Sequence, residues 1–143
     1  MDILTENEII QILKKNNYKV TPQRLEICKI VLSSKNHPSV EEIYEKVKRK
    51  HPMISLATIY KTLILLEEIG LVNELHFNDN QTRYDPKTSL HINVVCPECM
   101  SIYDIESEVL SKNWKSIISE IKGEISGQRI DVYKICEKCS KRD

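Results

Sequence analysis

No apolar run in this sequence approaches the ~18 residues that a membrane-spanning helix requires, so no transmembrane segment and no membrane partner are expected. The opening MDILTENEII carries acids and no basic stretch ahead of an apolar one, so no signal peptide is expected. Internal repeats and low-complexity tracts are absent, which argues against a solenoid or a long tether. There is no phosphate-cradling glycine loop and no nucleophile–base–orienter set, so neither an enzyme nor a small-molecule substrate is expected. Net charge is missing too: 21 basic residues balance 21 acidic ones over 143 residues, a length for one average domain or two small ones.

The charges are unevenly spread. Between residues 14 and 35, Lys14, Lys15, Lys19, Arg24, Lys29 and Lys35 oppose only Glu26, and Lys46, Lys48, Arg49 and Lys50 follow Glu45. Clusters of this kind form phosphate-binding faces although the total balances; a solvated helix surface has the same composition.

Four of the five cysteines fall in two Cys-x-x-Cys pairs, Cys96–Cys99 and Cys136–Cys139. At that spacing one turn of backbone aims two thiolates at one ion, and two pairs supply a closed tetrahedral Zn²⁺ site. The competing reading is a thiol oxidoreductase using one pair, yet neither pair opens a helix after a strand as a redox motif would. Metal-spaced cysteines without an export signal point to a reducing cytoplasm. Cys28, in the run Ile27-Cys28-Lys29-Ile30-Val31-Leu32, reads as a buried small hydrophobe.

Helix signals recur along the first half. Thr5 and Glu8 form a capping box ahead of Ile9, Ile10, Ile12 and Leu13. Thr21-Pro22 opens a second helix, Ser39 with Glu42 a third, and Ser55 a fourth running Leu56 to Ile69 with Gly70 after it. Leu71–Phe77 and Thr82–Tyr84 read as strands joined by Asn78-Asp79-Asn80-Gln81. Helices followed by a hairpin are the element order of a winged helix-turn-helix, in which the later helix enters the major groove. On that helix Ser55, Thr58, Tyr60, Lys61 and Thr62 are in reach of DNA, while Leu63, Leu65, Leu66 and Ile69 face inward. Beyond Pro86, His91–Cys96 and Ser101–Ile105 alternate as strands. Val109–Lys122 follows as a helix with Leu110, Trp114, Ile117, Ile118 and Ile121 on one face, and Arg129–Ile135 alternates again. This β-β-α-β unit is small enough to need a metal staple or a partner chain. The expected fold class is α+β: an N-terminal winged helix-turn-helix domain, then a small α/β dimerisation domain with the four-cysteine zinc site.

Thr21-Pro22-Gln23-Arg24, His37-Pro38, Ala57-Thr58-Ile59-Tyr60-Lys61-Thr62-Leu63, Gly70-Leu71-Val72 and both Cys-x-x-Cys pairs stand in the order and spacing of the ferric uptake regulator superfamily. The chain resembles that family over essentially its whole length, and most resembles its peroxide-sensing branch. The resemblance implies a homodimeric, metal-dependent repressor that binds double-stranded DNA at a palindromic operator. It implies a DNA-binding domain over 1–84, a hinge over 85–90 and a dimerisation and zinc-binding domain over 91–143. It also implies a regulatory Fe²⁺ or Mn²⁺, with Zn²⁺ as the alternative, on His37, Asp85, His91, Asn93 and Asp104. Asn93 stands where the family pattern has histidine, and a neutral amide is a poorer ligand for transition metals than imidazole. A weakened site, a water in that place and a metal-insensitive protein are the three alternatives. In the peroxide-sensing branch bound Fe²⁺ reacts with H₂O₂ and a ligand histidine is oxidised; His37 and His91 match those positions. Ser55, Thr58 and Tyr60 are the candidates for base contacts, Lys61 and Arg24 for phosphates or nearby bases. The remaining rivals are a zinc- or iron-uptake regulator without peroxide sensing and a zinc-ribbon interaction module. His51 and His76 have no place in the pattern and read as a turn residue and a surface strand residue.

Overall fold

The computed structural model describes residues 3–77 and 80–141, and the chain divides into two compact units, Met1–Thr88 and Ser89–Asp143. In the first unit run α1 (Glu6–Lys15), α2 (Pro22–Leu32), α3 (Val40–Lys48), α4 (Leu56–Glu68), β1 (Asn73–His76) and β2 (Thr82–Asp85). Each helix starts where a side chain satisfies the orphan amides of its first turn. Thr5 and Ser39 do so in capping boxes with Glu8 and Glu42, and Thr21 accepts from the Arg24 amide with Pro22 at the first position. Ser55 accepts from the Thr58 amide. Gly70, φ 73°, supplies the left-handed residue after α4.

The four helices pack through Ile9, Leu13, Ile27, Cys28, Val31, Ile43, Val47, Ile59, Leu63 and Leu66. On α4 the buried set is Ile59, Thr62, Leu63, Leu65 and Leu66. Thr62, expected among the outward polar residues, is 1% exposed. Its hydroxyl donates to the Thr58 carbonyl at 2.9 Å, so burial leaves no polar group unsatisfied. Ile64, 54% exposed, takes an outward place instead. The expected strand over Leu71–Phe77 narrows to Asn73–His76, because Leu71 and Val72 join the helical core. β1 and β2 pair antiparallel, Asn73 opposite Asp85 and His76 opposite Thr82. Of the expected turn, Asn78 and Asp79 lie outside the described residues.

The second unit holds β3 (Ile92–Val95), β4 (Ile102–Ile105), α5 (Glu108–Ile118), β5 (Ile130–Tyr133) and α6 (Glu137–Ser140). The sheet order is β4-β3-β5, with β4 antiparallel and β5 parallel to the central β3. Val94, Val95, Cys96 and Ile102 are its buried apolar side chains. α5 stops at Ile118, short of the expected Lys122, and none of its residues is buried. Val109 and Ile117 stand 73% and 50% exposed on it. Leu110, Trp114 and Ile118 of the same helix are half-buried.

Candidate metal centres and nucleic-acid face

The turn Cys96-Pro97-Glu98-Cys99 closes the β3–β4 hairpin. The Met100 amide donates to the Cys96 carbonyl and the Cys96 amide to the Ser101 carbonyl, each at 2.9 Å, and Met100 takes the left-handed φ of 58°. Contrary to the expectation from sequence, the second pair does open a helix after a strand: Cys136 is the N-cap residue of α6, which follows β5, and that single turn carries Cys139 to the same side. The parallel pairing of β5 with β3, continued by the Lys134 amide on the Val95 carbonyl at 2.9 Å, brings this turn onto the hairpin. All four sulfurs lie within 4.8 Å of one another. Amides of Cys136 and Cys99 lower the Cys96 thiol to about 6, whereas its hydrogen-bonded neighbour Cys136 pushes the Cys139 thiol up to about 12. Backbone amides thus favour the thiolate at Cys96, the form that ligates a metal. The donor set fits a structural Zn²⁺, and the convergence of all four cysteines does not suit an isolated redox pair.

A different chemistry gathers in each unit around histidine. In the first, the Tyr84 amide donates to the Pro38 carbonyl at 3.0 Å and Ser39 bridges Arg83, which fastens the His37-Pro38 loop to β2. His37 sits at φ 49°, a left-handed conformation uncommon for a residue with a Cβ. Its Nε2 lies 3.2 Å from Asp85 Oδ2, both side chains being almost wholly buried. The other carboxylate oxygen of Asp85 accepts from the Lys87 amide at 2.9 Å.

In the second unit, Asn93 on β3 lies opposite Asp104 on β4 and Asp131 on β5. The imidazole of His91 points Nε2 at Asn93 Oδ1, 3.1 Å away, and at Asp104 Oδ1, 3.7 Å away. Its Nδ1 meets the Ser89 carbonyl at 2.6 Å. Asp104 therefore turns toward His91. Imidazole with carboxylate is a donor set suited to Fe²⁺, Mn²⁺ or Zn²⁺. Asp131 has no counterpart in the sequence reading. Its strand was legible there, but only the β3–β5 register puts it beside Asn93.

The candidates for DNA contact line the start of α4. Ser55 and Lys61 are exposed, Tyr60 is 45% exposed and Thr58 is half-buried; Ser55 and Thr58 share a hydroxyl–hydroxyl bond of 3.0 Å. Arg24 is half-buried on α2 and donates from its guanidinium to the Lys19 carbonyl. Two cations of the basic clusters are occupied by acids: Lys29 lies 3.0 Å from Glu6 and Lys50 2.9 Å from Glu26. His51 forms part of the turn after α3, and the His76 side chain is 70% exposed. Cys28 is fully buried, and burial raises its thiol to about 12.

Helices with a hairpin, a thiolate cluster and buried imidazole–carboxylate pairs describe a metal-dependent transcription regulator. The sequence profile of the ferric uptake regulator family matches residues 15–133, and the chain belongs to that family. It is 33% identical over 132 residues to the peroxide-responsive repressor of Staphylococcus epidermidis, covering 92% of this chain and 88% of that one. To the peroxide operon regulator of Bacillus subtilis it is 33% identical over 137 residues, 95% of this chain and 94% of that one. The Campylobacter jejuni peroxide stress regulator superposes with a TM-score of 0.73 at 37% identity, over 92% of this chain and 99% of that one. The Helicobacter pylori ferric uptake regulator shares the fold, with a TM-score of 0.80 at 22% identity over 99% and 98% of the two chains. Regulators of this family are DNA-binding dimers rather than enzymes. Among the described residues no helix is long and apolar enough to cross a membrane.

Proposed function

We propose that this chain is a homodimeric cytoplasmic repressor of peroxide-stress or metal-homeostasis genes, binding a palindromic operator. Residues 1–84 bind DNA, 85–90 form a hinge, and 91–143 dimerise and hold zinc. Cys96, Cys99, Cys136 and Cys139 hold the structural Zn²⁺. His37, Asp85, His91, Asn93 and Asp104 are the ligands of the regulatory ion, Fe²⁺ or Mn²⁺. Support for a homodimer comes from the exposed apolar side chains Val109 and Ile117 of α5. A two-fold protein reads two half-sites, hence the palindrome. Tyr60, Thr58 and Ser55 contact bases, and Lys61 and Arg24 contact phosphates or nearby bases.

The observation that carries the reading is the buried His37–Asp85 pair, 3.2 Å apart on a left-handed backbone. A turn residue with no role beyond the turn would not be buried against a carboxylate at a conformational cost. Fe²⁺ held by these residues would supply one-electron chemistry toward H₂O₂ and be regenerated, the net two electrons coming from the ring. In net terms one oxygen is added to a ligand imidazole, at His37 or His91, and the other leaves as water. The altered ring is a poorer ligand, the ion is lost and the operator is released. Asn93 in a histidine position favours a second reading, an uptake regulator whose metal site does not respond to peroxide.

The test uses anaerobically purified protein and a duplex selected from a random pool. Retained zinc, Fe²⁺-dependent binding lost after brief H₂O₂, and one added oxygen on the peptide carrying His37 or His91 would establish the reading. Fe²⁺-dependent binding that survives peroxide would favour the second. Binding indifferent to both would leave a zinc-stabilised DNA-binding protein.

A further inference from the structure

The side chain of Asn93 is 2% exposed on the central strand, between the acids of both neighbouring strands. Its Nδ2 lies 3.1 Å from Asp131 Oδ1. A carboxylate accepts and cannot donate, so the amide orientation is settled: the NH₂ faces Asp131 and the oxygen faces His91. Asp131 is itself held by Arg129, Nη2 to Oδ2 at 2.7 Å.

On the other side, the His91 ring meets the Ser89 carbonyl through Nδ1 at 2.6 Å. A carbonyl also only accepts, so Nδ1 carries a proton and Nε2 is the ring atom turned toward Asn93. That nitrogen lies 3.1 Å from Asn93 Oδ1 and 3.7 Å from Asp104 Oδ1. Three atoms that can each bind a metal ion thus converge in a largely buried place. A ligating histidine ordinarily donates its second ring N–H to a carboxylate, which fixes its orientation. Asp131–Asn93 reproduces that arrangement with an amide, the acid behind and the oxygen in front.

We propose that Asn93 Oδ1 is a ligand of the regulatory ion, that Asp131 is the positioning residue that aims it, and that this oxygen shifts the site toward Mn²⁺ relative to Zn²⁺. The inference rests on the reading of His91 and Asp104 as ligands. An amide oxygen is a harder donor than imidazole, and hard oxygen donors suit Mn²⁺ where imidazole suits Zn²⁺.

The experiment titrates Mn²⁺ into full-length, zinc-loaded protein by the electron paramagnetic resonance of the unbound ion, with Zn²⁺ affinity measured by chelator competition. Asn93→Ala and Asp131→Ala are expected to weaken Mn²⁺ binding ~10- to 100-fold, the range for loss of outer-shell support. Asp131→Asn, whose side-chain oxygen still accepts from Asn93, is expected to restore it. Asn93→His is expected to raise Zn²⁺ affinity relative to Mn²⁺. Unchanged thiol-bound zinc and melting temperature in the Asp131 variants separate positioning from folding, and these variants with Asn93→His decide the matter if Asn93→Ala does not fold. If Asp104→Ala abolishes Mn²⁺ binding while the Asn93 and Asp131 variants bind as well as the parent, this inference is overturned and the regulatory site stands on its other four ligands, without Asn93. A parent protein that binds no Mn²⁺ beyond what Asp104→Ala binds overturns both.

Discussion

Replacing Cys139 with serine tests whether the thiolate cluster holds the second unit together. Serine is a poor Zn²⁺ ligand, so the variant loses the cross-link between the β3–β4 hairpin and the segment from β5 onward. Cys96 and Cys136 are 40 residues apart. A cross-link closing a loop of that length removes about 4 kcal/mol of conformational freedom from the unfolded chain. That corresponds to roughly a thousandfold in the folding equilibrium. The unit has little to set against the loss: its buried apolar side chains are Val94, Val95, Cys96 and Ile102, and α5 has no buried residue. Hydrogen exchange read residue by residue is the assay. The Lys134 amide, bonded to the Val95 carbonyl at 2.9 Å, reports docking of the C-terminal segment. In Cys139→Ser its exchange should accelerate about a thousandfold, while amides of α2 and α4 in the first unit keep their protection. Full protection at Lys134 in a zinc-free Cys139→Ser protein would refute the staple.

Three further outcomes are expected. Leu66→Ala, at a fully buried position of α4, should destabilise the first unit by ~2–5 kcal/mol in denaturant unfolding. Lys61→Ala, on the exposed face of the same helix, should weaken operator binding evenly across sequence variants and reduce the slope of log affinity against log salt by about one. Cys28 should resist alkylation in the native protein at neutral pH, since burial raises its thiol from the ordinary 9.0 to about 12. Because the folded-state value is the higher one, the stability carried by the buried neutral thiol is intact below pH 9.0 and is lost as pH climbs toward about 12. A Cys28→Ala variant should lose less stability over that interval in alkaline denaturation.

The sequence by itself determined whatever depends on near neighbours. A cap needs a hydroxyl and an amide three residues apart, so Thr5, Thr21, Ser39 and Ser55 announced four helix starts that the structure keeps. The cysteine spacing announced a metal cluster for the same reason. Only the tertiary structure decided matters of register and partnership. The parallel pairing of β5 with β3 sets Asp131 beside Asn93, and no local pattern specifies which strand a residue will face. Packing drew Thr62 into the core and left Ile64 outside, because helix periodicity outweighs side-chain polarity once the hydroxyl finds a carbonyl of its own turn. The loop fastened to β2 buries His37 against Asp85, residues 48 apart in the chain. Local chemistry acts over a few bonds, so it reads directly from residue order. The imidazole and amide orientations that make a metal site depend on contacts between distant segments, which exist only after the chain has folded.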